Sequence, residues 1–258
     1  MTDLVLYTLR ERAAVLTLNR PERRNALSRE LIVALDAALT RAAEDPAVRV
    51  VLLTGAGSVF CAGMDLAELQ ASLGADPGVS PVWDDALCLA RLYDRIYRHP
   101  LPVIAAVNGS ALAGGAGLVS VCDLAVAVPE ARFGYPEVRR GLVAAMVMPH
   151  LLRLVGERTA RYLLLTGETL AADEALRTGF INQVAPAEKL FEVALGWARA
   201  LAEGGPLALA RTKELLGTFS HQSVGLEEAA KASAAPRLGE ECRRGLEAFF
   251  TKKPPPWA

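Results

Sequence analysis

Val48–Leu66, VRVVLLTGAGSVFCAGMDL, and Leu101–Leu118, LPVIAAVNGSALAGGAGL, are two stretches built on one plan. Each runs from a short apolar strand through a glycine and a loop of small residues to more glycine and a helix start. A helix start leaves its first N–H groups without intrahelical partners. Glycine in turn lets another group come close to the backbone. Facing each other, two such turns aim the N–H of Met64, just after Gly63, and the N–H of Gly114 at one point. An oxygen that becomes negative during a reaction can be held that way. Ordinary tight turns that pack strand against helix are the other reading, and the residues alone leave both open.

Working outward, Leu4–Leu9 and Ala14–Asn19 alternate and predict a β-hairpin. Ser28 is placed to cap a helix whose Leu31, Leu35 and Leu39 form one stripe, ended by Asp45-Pro46. Arg49–Thr54, Val103–Val107, Leu124–Val128 and Ala131–Phe133 read as strands, and Asp65–Leu73 and Trp83–Arg98 as helices, with a turn-rich loop at Gly74–Pro81 between them. Beyond Pro149 helical spacing dominates: Pro149–Val155, Glu157–Leu165, Ala172–Thr178, Glu188–Ala202, Leu207–Leu216, Leu226–Ala234 and Leu238–Phe250, interrupted by a strand at Phe180–Val184. Gly204-Gly205-Pro206 is a sharp break, dividing a core over residues 1–203 from a helical region over 204–258. Strands and helices alternate early and helices prevail late, which predicts an α/β fold with a helical extension. The repeated strand–turn–helix module predicts a spiral of similar units.

Composition narrows the function. Hydrophobic residues make up 52% of the 258 and the net charge is -1, so a full core is expected and no electrostatic footprint for nucleic acid or anionic lipid is present. Leu101–Cys122 is uncharged and long enough to span a bilayer. Its Pro102, its glycines and its β-branched start favour a strand and a loop instead, so no membrane partner is expected. The four cysteines form no C-x-x-C pair and there are three scattered histidines, so no metal site is expected and a reducing cytoplasm suits the chain. There is no G-x-S-x-G and no Ser/His/Asp set, no G-x-G-x-x-G and no phosphate-binding G-x-x-x-x-G-K. Among the acids, Glu137 lies beyond a backbone fixed by Pro136, between Phe133 and Val138. Apolar surroundings would raise its pKa and suit it to proton transfer near neutrality; a capping or salt-bridged glutamate, paired with Arg139 or Arg140, is the alternative. Asp65 and Asp123 read as structural.

Taken together, these motifs resemble the crotonase superfamily of enoyl-CoA hydratases and isomerases over nearly the whole chain. The resemblance rests on Asn19-Arg20-Pro21 with Asn25-Ala26-Leu27, on Phe60–Leu66, on Ile104–Asp123, on Phe133–Glu137, on Leu165-Thr166-Gly167 with Ala172–Gly179, and on Gly245–Lys253. It implies a spiral of β-β-α units with a C-terminal helical region that builds trimers, often paired into hexamers. It implies a coenzyme A thioester as substrate and no permanently bound cofactor. Carried over residue by residue, the N–H groups of Met64 and Gly114 match the oxyanion hole, and Ala62 and Met64 the lining of the adenine end. Phe249 and Lys252 match positions that reach a neighbouring subunit's coenzyme A site.

The catalytic positions divide. Typical hydratases flank the reacting carbons with two glutamates. Glu137 matches the second, whereas the first falls on Gly117, which has no side chain, and an adenine-proximal lysine falls on Ala67. The run Gly141–Met148 also lacks the family's glycines. Hydration of a 2-enoyl-CoA and a 3-to-2 double-bond shift are both expected outcomes of such a site. A silent coenzyme-A-ester-binding relative is the alternative.

Overall fold

Each of the two related stretches contributes a strand to each of two sheets. The structure, a computed structural model, describes residues 3–73, 81–221, 240, 244, 248 and 251–253. The hairpin β1 (Val5–Arg10) and β2 (Ala13–Leu18) forms as expected, followed by α1 (Arg29–Glu44). Ser28 accepts a hydrogen bond from the Leu31 N–H at 3.2 Å, a cap whose loss typically costs about 1 kcal/mol. Leu31, Leu35 and Leu39 are all buried along the predicted stripe.

Then comes the repeat. β3 (Val50–Gly55) and β4 (Val59–Cys61) are followed by α2 (Leu66–Leu73) and α3 (Pro81–Tyr97). The second unit is β5 (Val103–Val107), β6 (Ser110–Leu112) and α4 (Gly114–Ser120). The third is β7 (Leu124–Ala127), β8 (Arg132–Gly134) and α5 (Met148–Thr166), which is bent at Gly156, where the sequence predicts a break. β9 (Thr169–Ala171), α6 (Ala172–Thr178) and β10 (Gln183–Val184) close the spiral, before α7 (Leu190–Ala202) and α8 (Pro206–His221).

The first strand of each unit joins the larger sheet, in the order β1-β2-β3-β5-β7-β10, parallel except for the hairpin. The second strand of each joins the smaller sheet, β4-β6-β8-β9, in which only β8 and β9 are antiparallel. β3 and β5 are buried at every position, as strands covered on both faces must be. The spiral of β-β-α units is therefore the architecture, as the repeated module predicts.

The differences are local. The glycine turns contain β4 and β6, short strands where the sequence predicts loop, and β9 is a further strand beyond those the sequence predicts. The strand predicted over Phe180–Val184 shrinks to its last two residues, because Phe180 and Ile181 turn off the end of α6 with their N–H groups on the Ala175 carbonyl. The loop Gly74–Pro81, except Pro81, and the helices predicted over Leu226–Ala234 and Leu238–Phe250, except Glu240, Arg244 and Ala248, lie outside the described residues.

α8 is tied to the large sheet by an ion pair. Lys213 Nζ donates to Asp123 Oδ2 at 2.6 Å and to the Leu101 carbonyl at 3.0 Å, while Asp123 also accepts from the Val103 N–H. Asp123 is thus structural, as read. At the predicted break, the Gly204 carbonyl accepts from the Arg49 guanidinium at 2.7 Å. No described helix is long and apolar enough to cross a membrane.

Candidate active site

The segment before α1 fixes the first glycine turn. Asn25 is wholly buried; its Oδ1 accepts from the Arg20 N–H, and its Nδ2 donates to the carbonyls of Ala56 and Val59. Leu27 then bridges the turn, its N–H donating to the Gly63 carbonyl and its own carbonyl accepting from the Asp65 N–H. That pairing uses the backbone on either side of Met64 and leaves the Met64 N–H facing away from Leu27. Asp65 pairs with Arg20 at 3.1 Å and accepts from the Ala67 N–H at the start of α2, a structural role in keeping with its sequence reading.

The second turn lies directly against the first. A Cβ on Gly63 would sit 2.6 Å from Ala113 Cβ and 3.1 Å from the Gly114 nitrogen, so only glycine allows this approach. Gly63 also has φ +95°, and Ala113, ahead of α4, is held at φ 50° and ψ -123°. Neither the Met64 nor the Gly114 N–H donates a hydrogen bond to any described residue.

Both turns open on a cleft of about 690 Å³. Its walls include Ala62, Met64, Gly114 and Glu137, four of the residues singled out from the sequence. Exposed Arg23 and Arg24 and half-buried Asp65 line the same cleft, while Leu89, Leu112, Met146 and Val147 add apolar wall. Lys252 is exposed at the far end of the chain and does not line it, and Phe249 lies outside the described residues.

Glu137 opens a short 3-10 turn, Pro136–Arg140. Among the described residues Glu137 forms no ion pair with Arg139, which pairs with Glu168 instead, and Arg140 acts on it only as a nearby charge. Glu137 Oε2 is buried and has no hydrogen-bond partner among the described residues. Burial raises the Glu137 carboxyl above its ordinary range, opposed by a backbone hydrogen bond and by the charge of Arg140.

Gly117 is buried on α4 and does not line the cleft. A Cβ there would meet the Tyr93 hydroxyl at 2.4 Å and Val147 at 2.8 Å. Tyr93, on α3, was not singled out from the sequence. Its hydroxyl donates to the Gly114 carbonyl at 2.9 Å and its ring lines the cleft. The one signal for it was negative: a side chain missing at position 117 leaves room that a close-packed interior must fill.

An α/β spiral with unpaired turn amides and a partly buried carboxyl group lining one cleft has the layout of an enzyme site. Comparison with known proteins makes the class specific. Residues 9–258 match the family model described as enoyl-CoA hydratase/isomerase. A putative enoyl-CoA hydratase from Thermus thermophilus is 46% identical over 94% of this chain and 96% of its own. The 2,3-dehydroadipyl-CoA hydratase of Escherichia coli is 34% identical over 99% and 98%. Among solved structures, an enoyl-CoA hydratase from Shewanella pealeana superposes with a TM-score of 0.92 at 30% identity, over 98% of this chain and 96% of that one. The chain belongs to the enoyl-CoA hydratase/isomerase family and is an acyl-CoA-processing enzyme of that type.

Proposed function

We propose that this enzyme adds water reversibly across the double bond of a 2-enoyl-CoA thioester, using Glu137 as its one carboxylate. The supporting observation is the pairing, in one cleft, of two unspent amides with one unpartnered carboxyl oxygen. In this reading the Met64 and Gly114 N–H groups hold the thioester oxygen, where each donor typically contributes about 10²–10³ in rate. The polarised carbonyl draws electrons from the double bond, water attacks the carbon β to it, and Glu137 accepts the water's proton. Glu137 then returns that proton to the α-carbon. Its raised proton affinity suits both halves of the cycle.

The hydratase names of the relatives support hydration. A second reading, the 3-to-2 double-bond shift, is favoured by Gly117, because a single shuttling base suffices for a 1,3-proton transfer. Ala62 and Met64 line the coenzyme A end of the cleft in either case. Residues 204–258 form the oligomerisation region, bringing Phe249 and Lys252 to a neighbouring subunit's coenzyme A in a trimer or a pair of trimers in the cytoplasm.

The test is an assay on 2-enoyl-CoA and 3-enoyl-CoA thioesters with product identification. Formation of 3-hydroxyacyl-CoA from the 2-enoyl substrate is expected. Turnover of the 3-enoyl substrate alone would replace hydration by the double-bond shift.

A further inference from the structure

The space that Gly117 leaves empty is occupied by a polar atom. The Tyr93 hydroxyl comes within 2.4 Å of where a Cβ on Gly117 would be, so side chains at the two positions exclude each other. Among the described residues lining the cleft, Tyr93 is the one polar side chain that is fully buried, at 2% exposed. Its single proton is committed. The Gly114 carbonyl can only accept, so at 2.9 Å the phenol must be the donor. The lone pairs of the phenol oxygen then remain to accept from something else.

An attacking water needs two acceptors to be oriented: one to take its proton and one to fix its other O–H. Glu137, with its unpartnered buried oxygen, is the first. We propose that Tyr93 is the second, an acceptor that holds the attacking water against Glu137 in the place left by the side chain missing at Gly117. The inference rests on the hydration reading.

In the step it serves, the water oxygen forms the bond to the β-carbon and its O–H bond breaks, the proton passing to the Glu137 carboxylate. The π electrons move through the α-carbon to the thioester oxygen. The proton then moves from Glu137 to the α-carbon, and Tyr93 ends as it began. Burial keeps the phenol protonated, and the nearby Cys61, Tyr135 and Glu137 add to that effect, so Tyr93 is not itself a base.

The experiment compares the full-length wild type with Tyr93→Phe and with Gly117→Ala, which keeps the phenol but displaces its oxygen. For each, kcat and KM for hydration of crotonyl-CoA, the rate of the 3-to-2 shift, and the melting temperature are measured. For Tyr93→Phe the hydration kcat falls about 10²-fold, the size of effect that lost positioning produces. The double-bond shift, which consumes no water, stays within about threefold of wild type, as positioning of water is no part of it. Gly117→Ala shows the same selectivity. Unchanged hydration overturns the proposal. So does an equal fall in both reactions, which would mean that the phenol only braces Gly114. A wild type that shifts the double bond but never hydrates would remove the hydration reading itself, an outcome visible before any variant is made.

Discussion

The nitrogen of Gly114 lies 3.1 Å from the point that a Cβ on Gly63 would occupy. The two turns can come this close only because position 63 carries no side chain. Its φ of +95° is itself a conformation that other residues adopt at a cost.

Gly63→Ala is therefore expected to push the turns apart. The intruding methyl group meets Ala113 Cβ and the Leu112 carbonyl, neither of which is a flexible chain end. We expect kcat to fall by about 10²-fold, as when one oxyanion donor is lost. A steady-state assay that finds kcat within a few-fold of wild type would show that the amides need not converge.

In the proposed mechanism Glu137 links rate to pH. Its carboxyl is raised above the ordinary 4.5 by burial, so the base form, and with it kcat, is lost on acidification from a higher pH than an exposed glutamate would set. Stability runs the other way. The folded state binds the Glu137 proton more tightly than the unfolded chain, so this contribution is fully present below pH 4.5 and is lost as pH rises through the folded pKa. Glu137→Gln should abolish turnover, retain coenzyme A ester binding, and melt no lower than wild type at neutral pH. Retained turnover would take Glu137 out of the mechanism; a marked drop in melting temperature would mean that its charge is structural.

Much of this was legible in the residues. The two rhyming stretches carry the spiral because each strand–turn–helix unit repeats in the chain what the two sheets repeat in space. The partly buried setting of the Glu137 carboxyl group was legible through Pro136 and Phe133. What was not legible is three residues long or lies far away in sequence. β4, β6 and β9 are too short for alternation to register against the glycines around them. Asn25 stood out as part of a motif, but its partners Ala56 and Val59 are more than thirty residues away. Tyr93 shares the buried face of α3 with Leu89, Leu92 and Ile96, and no motif in the sequence sets it apart from them. Only the packing of α3 on α4 gives its hydroxyl a neighbour.

Lys213 anchors α8. Asp123 is raised above its ordinary range by burial, while Lys213 and the Val103 N–H act against that. Lys213→Met leaves a carboxylate that is still partly open to solvent without its cation. We expect a loss of about 2 kcal/mol, in the range for a hydrogen bond to a charged group, and it should grow as Asp123 ionises with rising pH. Urea melts at two pH values test this; equal loss at both would make the pair a packing contact.

Ala113 carries strain that the chain could shed. At φ 50° and ψ -123° it sits in a region where a non-glycine residue typically costs about 1–3 kcal/mol. Its Cβ also packs against Gly63. Ala113→Gly relieves the backbone but makes the unfolded chain more flexible, which returns up to about 1 kcal/mol. The balance favours a gain in stability, read as a higher melting temperature. A loss would mean that the methyl group's packing outweighs the strain.

Gly117→Glu tests whether the missing carboxylate can simply be restored. In the wild-type background the new side chain meets the Tyr93 hydroxyl and ring carbon at 2.4 and 2.7 Å and Val147 at 2.8 Å, so it has no room to reach the cleft. The single variant should lose both stability and hydration. Tyr93→Ala empties the ring's volume, at a typical cost of about 3–5 kcal/mol for removing a buried aromatic. In that background Gly117→Glu should be far better tolerated, because the two side chains compete for one space. A double-mutant cycle in melting temperature and hydration rate reads this coupling directly. Additive effects would show that Tyr93 and residue 117 do not share the space.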